Sequence, residues 1–378
     1  MQKVVRFLLV LALVLPTAVL ASSEGHEMDH ETEGLTPEQE AKDEKAHRKH
    51  YVIHHTQDSH DFGLFTNESE EKHYGFPLPV ILWDDGIHFF MSSKFDHGHK
   101  TVSSNGKYFK LDDANGKVYQ ADAEGHYLEK NVWDKELKEY VLERIEVLDF
   151  SITKNVLVTM LMVILMFFLF RSIARSYKNG LAPTGAAKFF EPIIIYVRDE
   201  IARPNIGEKH YKKYMVYLLT VFFFIWFLNL SGMTPLGINV TGNIAFTAAL
   251  ALMTYFITTF TGKKDYWMHI FWMPGVPWPM KIVLAPIELL GTIIKPFALM
   301  IRLYANMLAG HIVLGMLILA AYGFSNYFAS GAFIGLTFFM NIIELLVALL
   351  QAYIFTMLTA LYFGAAAEEH DHEHAAAH

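Results

Sequence analysis

Five stretches of this chain are apolar over enough length to cross a lipid bilayer, near residues 154–174, 213–233, 242–262, 283–320 and 331–364. About 20 apolar residues span roughly 30 Å of hydrocarbon, where a helix satisfies its own backbone polar groups without water. The expected fold class is an all-α integral membrane protein with five transmembrane helices. The last two stretches hold 38 and 34 residues, about 57 and 51 Å at 1.5 Å per residue, well beyond the hydrocarbon thickness. They read as a long tilted antiparallel C-terminal hairpin, with Pro286 and Pro296 as candidate kink sites.

Orientation follows the Lys and Arg content of the short connections. The loop after the first stretch carries Arg171, Arg175, Lys178, Lys188, Arg198, Arg203, Lys209, Lys212 and Lys213, and the loop after the third carries Lys263, Lys264 and Lys281. Both belong inside the cell. Residues 231–241 and 321–331 contain neither Lys nor Arg and belong outside, so the N-terminus is expected extracytoplasmic and the C-terminus cytoplasmic. Within the first inside loop, AAKFFEPIIIYVRDEIARP is too short and too charged to cross, and should lie along the membrane surface.

The first 150 residues have another texture. Residues 1–21 have a basic start (Lys3, Arg6), a short apolar core and small residues near Ala21, the pattern of a secretory signal peptide. Residues 22–75 form a polar arm rich in His and acidic residues, expected mostly disordered. Residues 76–150 contain Asn105-Gly106 and Asn115-Gly116 between short alternating segments, which reads as a small extracytoplasmic β-meander. Trp133, Leu137, Tyr140, Val141, Ile145 and Leu148 fall at helical spacing, so an amphipathic helix is expected to close this region. The five-helix domain then occupies 151–365 and a cytoplasmic tail 366–378. The chain has no cysteine, which excludes disulfides and thiolate metal or redox sites.

An ionisable side chain inside a membrane helix is costly and marks function by default. Here such groups and other polar side chains gather in the last two stretches: Glu288, Lys295, Arg302 and His311, plus Asn306, in the fourth, and Asn341, Glu344 and Gln351 in the fifth. Glu288, Lys295 and Arg302 repeat every seven residues and drift only about 20° per step, so they form one polar stripe. Folding the two stretches back on each other near Ser325 puts Arg302 level with Gln351 and His311 level with Glu344. Histidine titrates near neutral pH and can exchange protons with a carboxylate, which makes His311 and Glu344 a relay. Arginine does not give up its proton and can act as a charge barrier.

The run KPFALMIRLYANMLAGH, Lys295 to His311, resembles the signature helix of the ATP synthase subunit a family. ELLVALLQAYIFTMLTALYFGAAAEEH looks like that family's final helix, and FLNLSGMTP with TGNIAFTAALAL resembles its middle hairpin. The resemblance covers roughly residues 150–370 and implies a non-catalytic stator subunit of the F0 sector in the bacterial inner membrane. It implies that Arg302 faces the carboxylates of the c-ring and that Asn306, Gln351 and Glu288 line aqueous half-channels. By the same likeness His311 and Glu344 occupy two positions where the family carries an acidic residue and a histidine in either order. The implied partners are the c-ring, subunit b of the peripheral stalk, the F1 catalytic head through that stalk, and lipid, with no nucleic acid and no cofactor.

Two other classes of function were weighed. A secondary ion transporter also places charges at mid-membrane, but its internal repeats do not fit five spans with polar groups in the last two alone. A metal-binding protein is raised by the twelve of nineteen histidines within residues 22–150, among them His54-His55 and His97-Gly98-His99. Without a ligand set inside the membrane, these read as surface histidines and no metal site is assigned.

Overall fold

The computed structural model describes residues 58–67, 72–96, 98–112, 115–134, 139–178, 185–234, 238–272, 277–323 and 327–367. The expected signal peptide, most of the acidic arm and residues 368–378 of the tail lie outside them. The described residues divide into two compact units: a β-rich unit that runs through residue 161 and includes 234–239, and a helical unit of 162–233 and 240 onward.

The β-rich unit is a series of antiparallel pairings. Strands β1 (Asp61–Asn67) and β2 (Lys72–Pro77) form one hairpin. Strands β3 (Pro79–Trp83) and β4 (Ile87–Met91) form a second, and β5 (Val102–Ser104), β6 (Lys107–Leu111) and β7 (Val118–Ala121) form a three-stranded meander. The β5–β6 turn is the expected two-residue Asn-Gly connection: Asn105 and Gly106 have φ of 51° and 81°, the left-handed pair that suits the right-handed twist of hairpin strands. Val80, Leu82, Phe90, Phe95, Phe109 and Val118 close the core of this unit.

Two expectations are corrected here. The hairpin β1–β2 lies largely within the stretch read as disordered. The amphipathic helix over 133–148 does not form; β8 (Glu129–Asp134) and β9 (Glu139–Arg144) pair instead, with Val132 opposite Val141 and Trp133 opposite Tyr140. The Trp133 and Tyr140 rings meet edge to face at 5.1 Å. Ile145 donates its amide to Leu128 O and accepts from Gln120 N, so backbone partners on neighbouring segments outweighed a local pattern compatible with both periods.

β10 (Leu148–Asp149) adds to the free side of β3 and leads into the first long helix, α1 (Lys154–Lys178). The junction is held by residues far away in sequence. Asp58 accepts from the Asn155 amide at 3.1 Å and from Thr153 Oγ1 at 2.9 Å, serving as an N-cap from 97 positions upstream. Lys154 N donates to Ser59 O. Buried His60 meets Asp149 Oδ2 through Nε2 at 2.7 Å, and Ser151 N donates to Asp149 Oδ1 at 2.8 Å. Burial pushes the Asp58 carboxyl above its ordinary value, against the bonds from Asn155 and Thr153. For Asp149 burial acts the same way, but the bonds from His60 and Ser151 win and hold it below the usual range.

The helical unit takes the rest of α1. It continues with α2 (Ala186–Tyr196), a π-helical stretch (Val197–Ala202) and the one-turn helix α3 (Arg203–Ile206). Next come α4 (Tyr211–Gly232), α5 (Ile244–Thr261) and the short α6 (Lys264–Phe271). The chain ends in two long helices, α7 (Trp278–Gly323, 46 residues) and α8 (Tyr327–Ala367, 41 residues). Five of these, α1, α4, α5, α7 and α8, are long and apolar enough to cross a membrane, at the positions expected. α7 stays helical through Pro286 and Pro296.

The core of this unit forms where α4, the π-helical stretch and α8 meet, around Val197, Ile201, Leu218, Trp226, Phe355 and Phe363. Tyr214 stacks on Phe363 at 4.5 Å. Small residues on α8 let the backbones approach. A Cβ on Gly364 would lie 1.9 Å from Asn205 O, so nothing larger than glycine fits there without moving the backbone of α3.

Two outcomes follow. Gly364→Ala should lower the thermal midpoint of the purified chain in detergent, at a cost of about 1–3 kcal/mol for overpacking; Gly335→Ala, which meets only open space, should not. For Asp149 the folded-state affinity for protons is depressed, so its contribution is present above the unfolded value of about 3.9 and is lost as pH falls through the folded value. Amide exchange at Ser151, corrected for intrinsic rate, should therefore speed up below about pH 4. Asp149→Asn should flatten that acid limb.

Candidate functional site

The polar side chains of the helical unit meet along α7 and α8. His311 Nδ1 lies 3.2 Å from Glu344 Oε1, with the two side chains only 12% and 9% exposed. Gly310 makes the approach possible, since a Cβ there would sit 2.8 Å from the same carboxylate oxygen. Asn306 Nδ2 donates to Gln351 Oε1 at 2.8 Å. Position numbers rise on one helix as they fall on the other, so the two helices run antiparallel along this seam.

Gln351 was expected level with Arg302, and its carbonyl is instead taken by Asn306, one turn further along α7. Arg302 itself is exposed. The Tyr362 hydroxyl is within its electrostatic reach, and among the described residues no carboxylate forms an ion pair with it. Lys295, one stripe position earlier, lies 5.8 Å from the centroid of the Tyr362 ring. Glu288 is half-buried and within electrostatic reach of Tyr266.

Lys295 borders a small cleft between α5, α6, α7 and α8, whose polar lining includes Thr254, Thr258, Tyr266, Thr292 and Tyr362. The sequence reading did not single out these residues. The signal was present in the hydroxyls at 247, 254, 258 and 261 on an otherwise apolar stretch, but threonine bonds back to its own helix, as Thr254 and Thr258 do to Leu250 O and Thr254 O. One residue type therefore serves helix and cleft alike.

On α8 a row of buried polar atoms has no protein partner among the described residues: Asn341 Oδ1, Glu344 Oε2, Gln351 Nε2 and Thr359 Oγ1. At 100° per residue these four positions lie within about 80° of one another on the helix. Asn229 on α4, also missed, bridges to this helix by donating to Ala348 O at 3.4 Å while its own carbonyl accepts from Thr241 Oγ1 at 2.8 Å.

In the β-rich unit, Asp122, Glu124 and His126 bring three ligand-type atoms within 4.8 Å of one another on the surface. Of the histidines weighed earlier as metal ligands, His54, His55 and His97 lie outside the described residues, and His99 is exposed and not one of these three.

The comparisons with known proteins separate the two units. Residues 51–144 match a family described as Domain of unknown function (DUF8433). Residues 156–364, from α1 to α8, match the ATP synthase A chain family. The chain is 42% identical to ATP synthase subunit a 2 of Chlorobaculum tepidum over 59% of its own length and 65% of that relative. It is 38% identical to ATP synthase subunit a of Chlorobium phaeobacteroides over 67% of its length and 78% of the relative. A protein of the same name from Anaeromyxobacter is 37% identical over 68% of this chain and 62% of its own. The chain thus spans slightly under two thirds of the first of these relatives. The family model covers more than half of the residues and holds both seam pairs, so the chain belongs to the ATP synthase A chain family.

Proposed function

We propose that this chain is the stator proton channel of the F0 sector of a rotary ATP synthase, a translocating subunit that hydrolyses nothing itself. The observation that carries the reading is one polar seam in an apolar helix pair: a buried His311–Glu344 contact and an Asn306–Gln351 bond, with an exposed arginine one turn beyond. Membrane charges without a partner in their own chain call for one in another. The carboxylates of a c-ring would supply it for Arg302.

In this mechanism a proton enters from the extracytoplasmic side, passes His311 and Glu344 and loads a ring carboxylate. An imidazole can take up and hand on a proton, and His311 Nδ1 lies at hydrogen-bond distance from the Glu344 carboxylate. The unpartnered polar atoms on α8 give water something to bond, since buried polar groups left unsatisfied are costly. After almost a full turn of the ring the proton leaves by a second half-channel along the cleft near Glu288, Lys295 and the threonines of α5. Arg302 keeps its own proton and blocks a direct path between the two. A charge moved through 100 mV is worth about 2.3 kcal/mol, so each leaked proton wastes that much.

The helices α7 and α8 would lie tilted against the ring in the bacterial inner membrane, with an extracytoplasmic N-terminus and a cytoplasmic C-terminus. Subunit b of the peripheral stalk would hold the chain against the F1 head.

Arg302→Ala should abolish proton-driven ATP synthesis by membrane vesicles while the complex still copurifies intact; normal coupled synthesis in that variant would refute the role. Exchanging the pair, His311→Glu with Glu344→His, should retain more activity than either single change. Wild-type synthesis rates in both single variants would dismiss the relay.

A further inference from the structure

The sheet β10–β3–β4 departs from the rule that an antiparallel sheet with one solvated face alternates apolar and polar residues. Its inner face follows the rule, with Val80, Leu82 and Phe90 in the core. The register puts Trp83, Ile87 and Leu148 side by side on the opposite face, then Phe89 across from Ile81 and Met91 across from Pro79. Phe150 continues the row, its amide donating to Ile81 O. No outward position on this face is charged. Trp83, Ile87, Phe89, Met91, Leu148 and Phe150 are 38–65% exposed, a contiguous patch larger than a solvated sheet of a small unit normally presents.

We propose that this face rests on the bilayer surface, in the headgroup region of the leaflet where α1 begins. Continuity is the first argument. Phe150 lies four residues before Lys154, at most about 14 Å of chain. The first two turns of α1 belong to the same compact unit as the sheet, fastened by the Asp58, Ser59 and His60 contacts. Val156, Met160 and Leu161 on those turns are exposed and apolar in their turn. Chemistry is the second argument. Protein interfaces carry about one hydrogen bond per 100–200 Å², yet the only hydrogen-bonding side chain among these six is the Trp83 indole, with one donor. Such a face suits a medium that needs no specific partners, and tryptophan and other amphipathic aromatics favour the membrane–water boundary. Residues 22–57 of the chain are poor material to cover it, since their large apolar residues are Met28, Leu35, Tyr51, Val52 and Ile53 alone.

The absence of cysteine permits a direct test. The full chain carrying Phe89→Cys, and separately Glu124→Cys, is spin-labelled and reconstituted into vesicles of phosphatidylethanolamine and phosphatidylglycerol. Collisions of each label with oxygen, which partitions into lipid, and with a water-soluble nickel chelate are then measured. The label at 89 should lose most of its chelate collisions relative to exposed position 124 while keeping those with oxygen. Equal chelate access at both positions would place the face in water and overturn the proposal. Shielding of position 89 from both reagents would overturn it too, by showing that protein, either the chain's own N-terminal segment or a second copy, covers the face. Neither result bears on proton transfer through α7 and α8.

Discussion

A guanidinium that cannot shed its proton, carried on a helix whose flanks are hydrocarbon, is the constraint around which the helical unit is arranged. Among the described residues of the seam, His311 meets Glu344 and Asn306 bonds Gln351, while Glu344 Oε2 and Gln351 Nε2 have no protein partner. Arg302 is exposed, and among the described residues no carboxylate pairs with it; the Tyr362 hydroxyl lies within its electrostatic reach. The His311–Glu344 contact is thus enclosed while Arg302, on the same helix, stays exposed.

The packing around the seam depends on close approach. Without a hydrophobic drive between helices in lipid, packing favours small residues at the contact. Ala348, Ala352 and Ala360 are buried along α8, and Asn229 reaches across to Ala348 O. Gly310 opens the space into which the Glu344 carboxylate reaches. The same principle that tightens the bundle thus also sets the distance between the His311 and Glu344 side chains.

Much of this was legible in the residues. Five long apolar runs leave little freedom about where helices lie, and a histidine and a glutamate inside hydrocarbon stand out by type alone. Their register followed from depth counting about the α7–α8 connection, which places His311 with Glu344; a shift of one turn separated the expected level of Gln351 from the bond it makes. The threonine-lined cleft was not legible, because a hydroxyl that satisfies its own helix looks the same whether or not it also borders a cavity. The strands β8 and β9 were missed for another reason. Trp133, Tyr140 and Val141 fit a helical period as well as a strand pairing; they pair across β8–β9, and Ile145, just beyond, bonds the backbone at 120 and 128. Local pattern carries no record of such distant partners.

The cap that Asp58 supplies to Asn155 ties the β-rich stretch into a closed excursion, leaving and rejoining the chain at nearly one point. Because closure entropy grows only with the logarithm of loop length, residues added or removed between Asp58 and Asn155 change the cost of closing the neck little. The neck, rather than the strands, is therefore where the tolerance of this architecture to evolutionary grafting is decided.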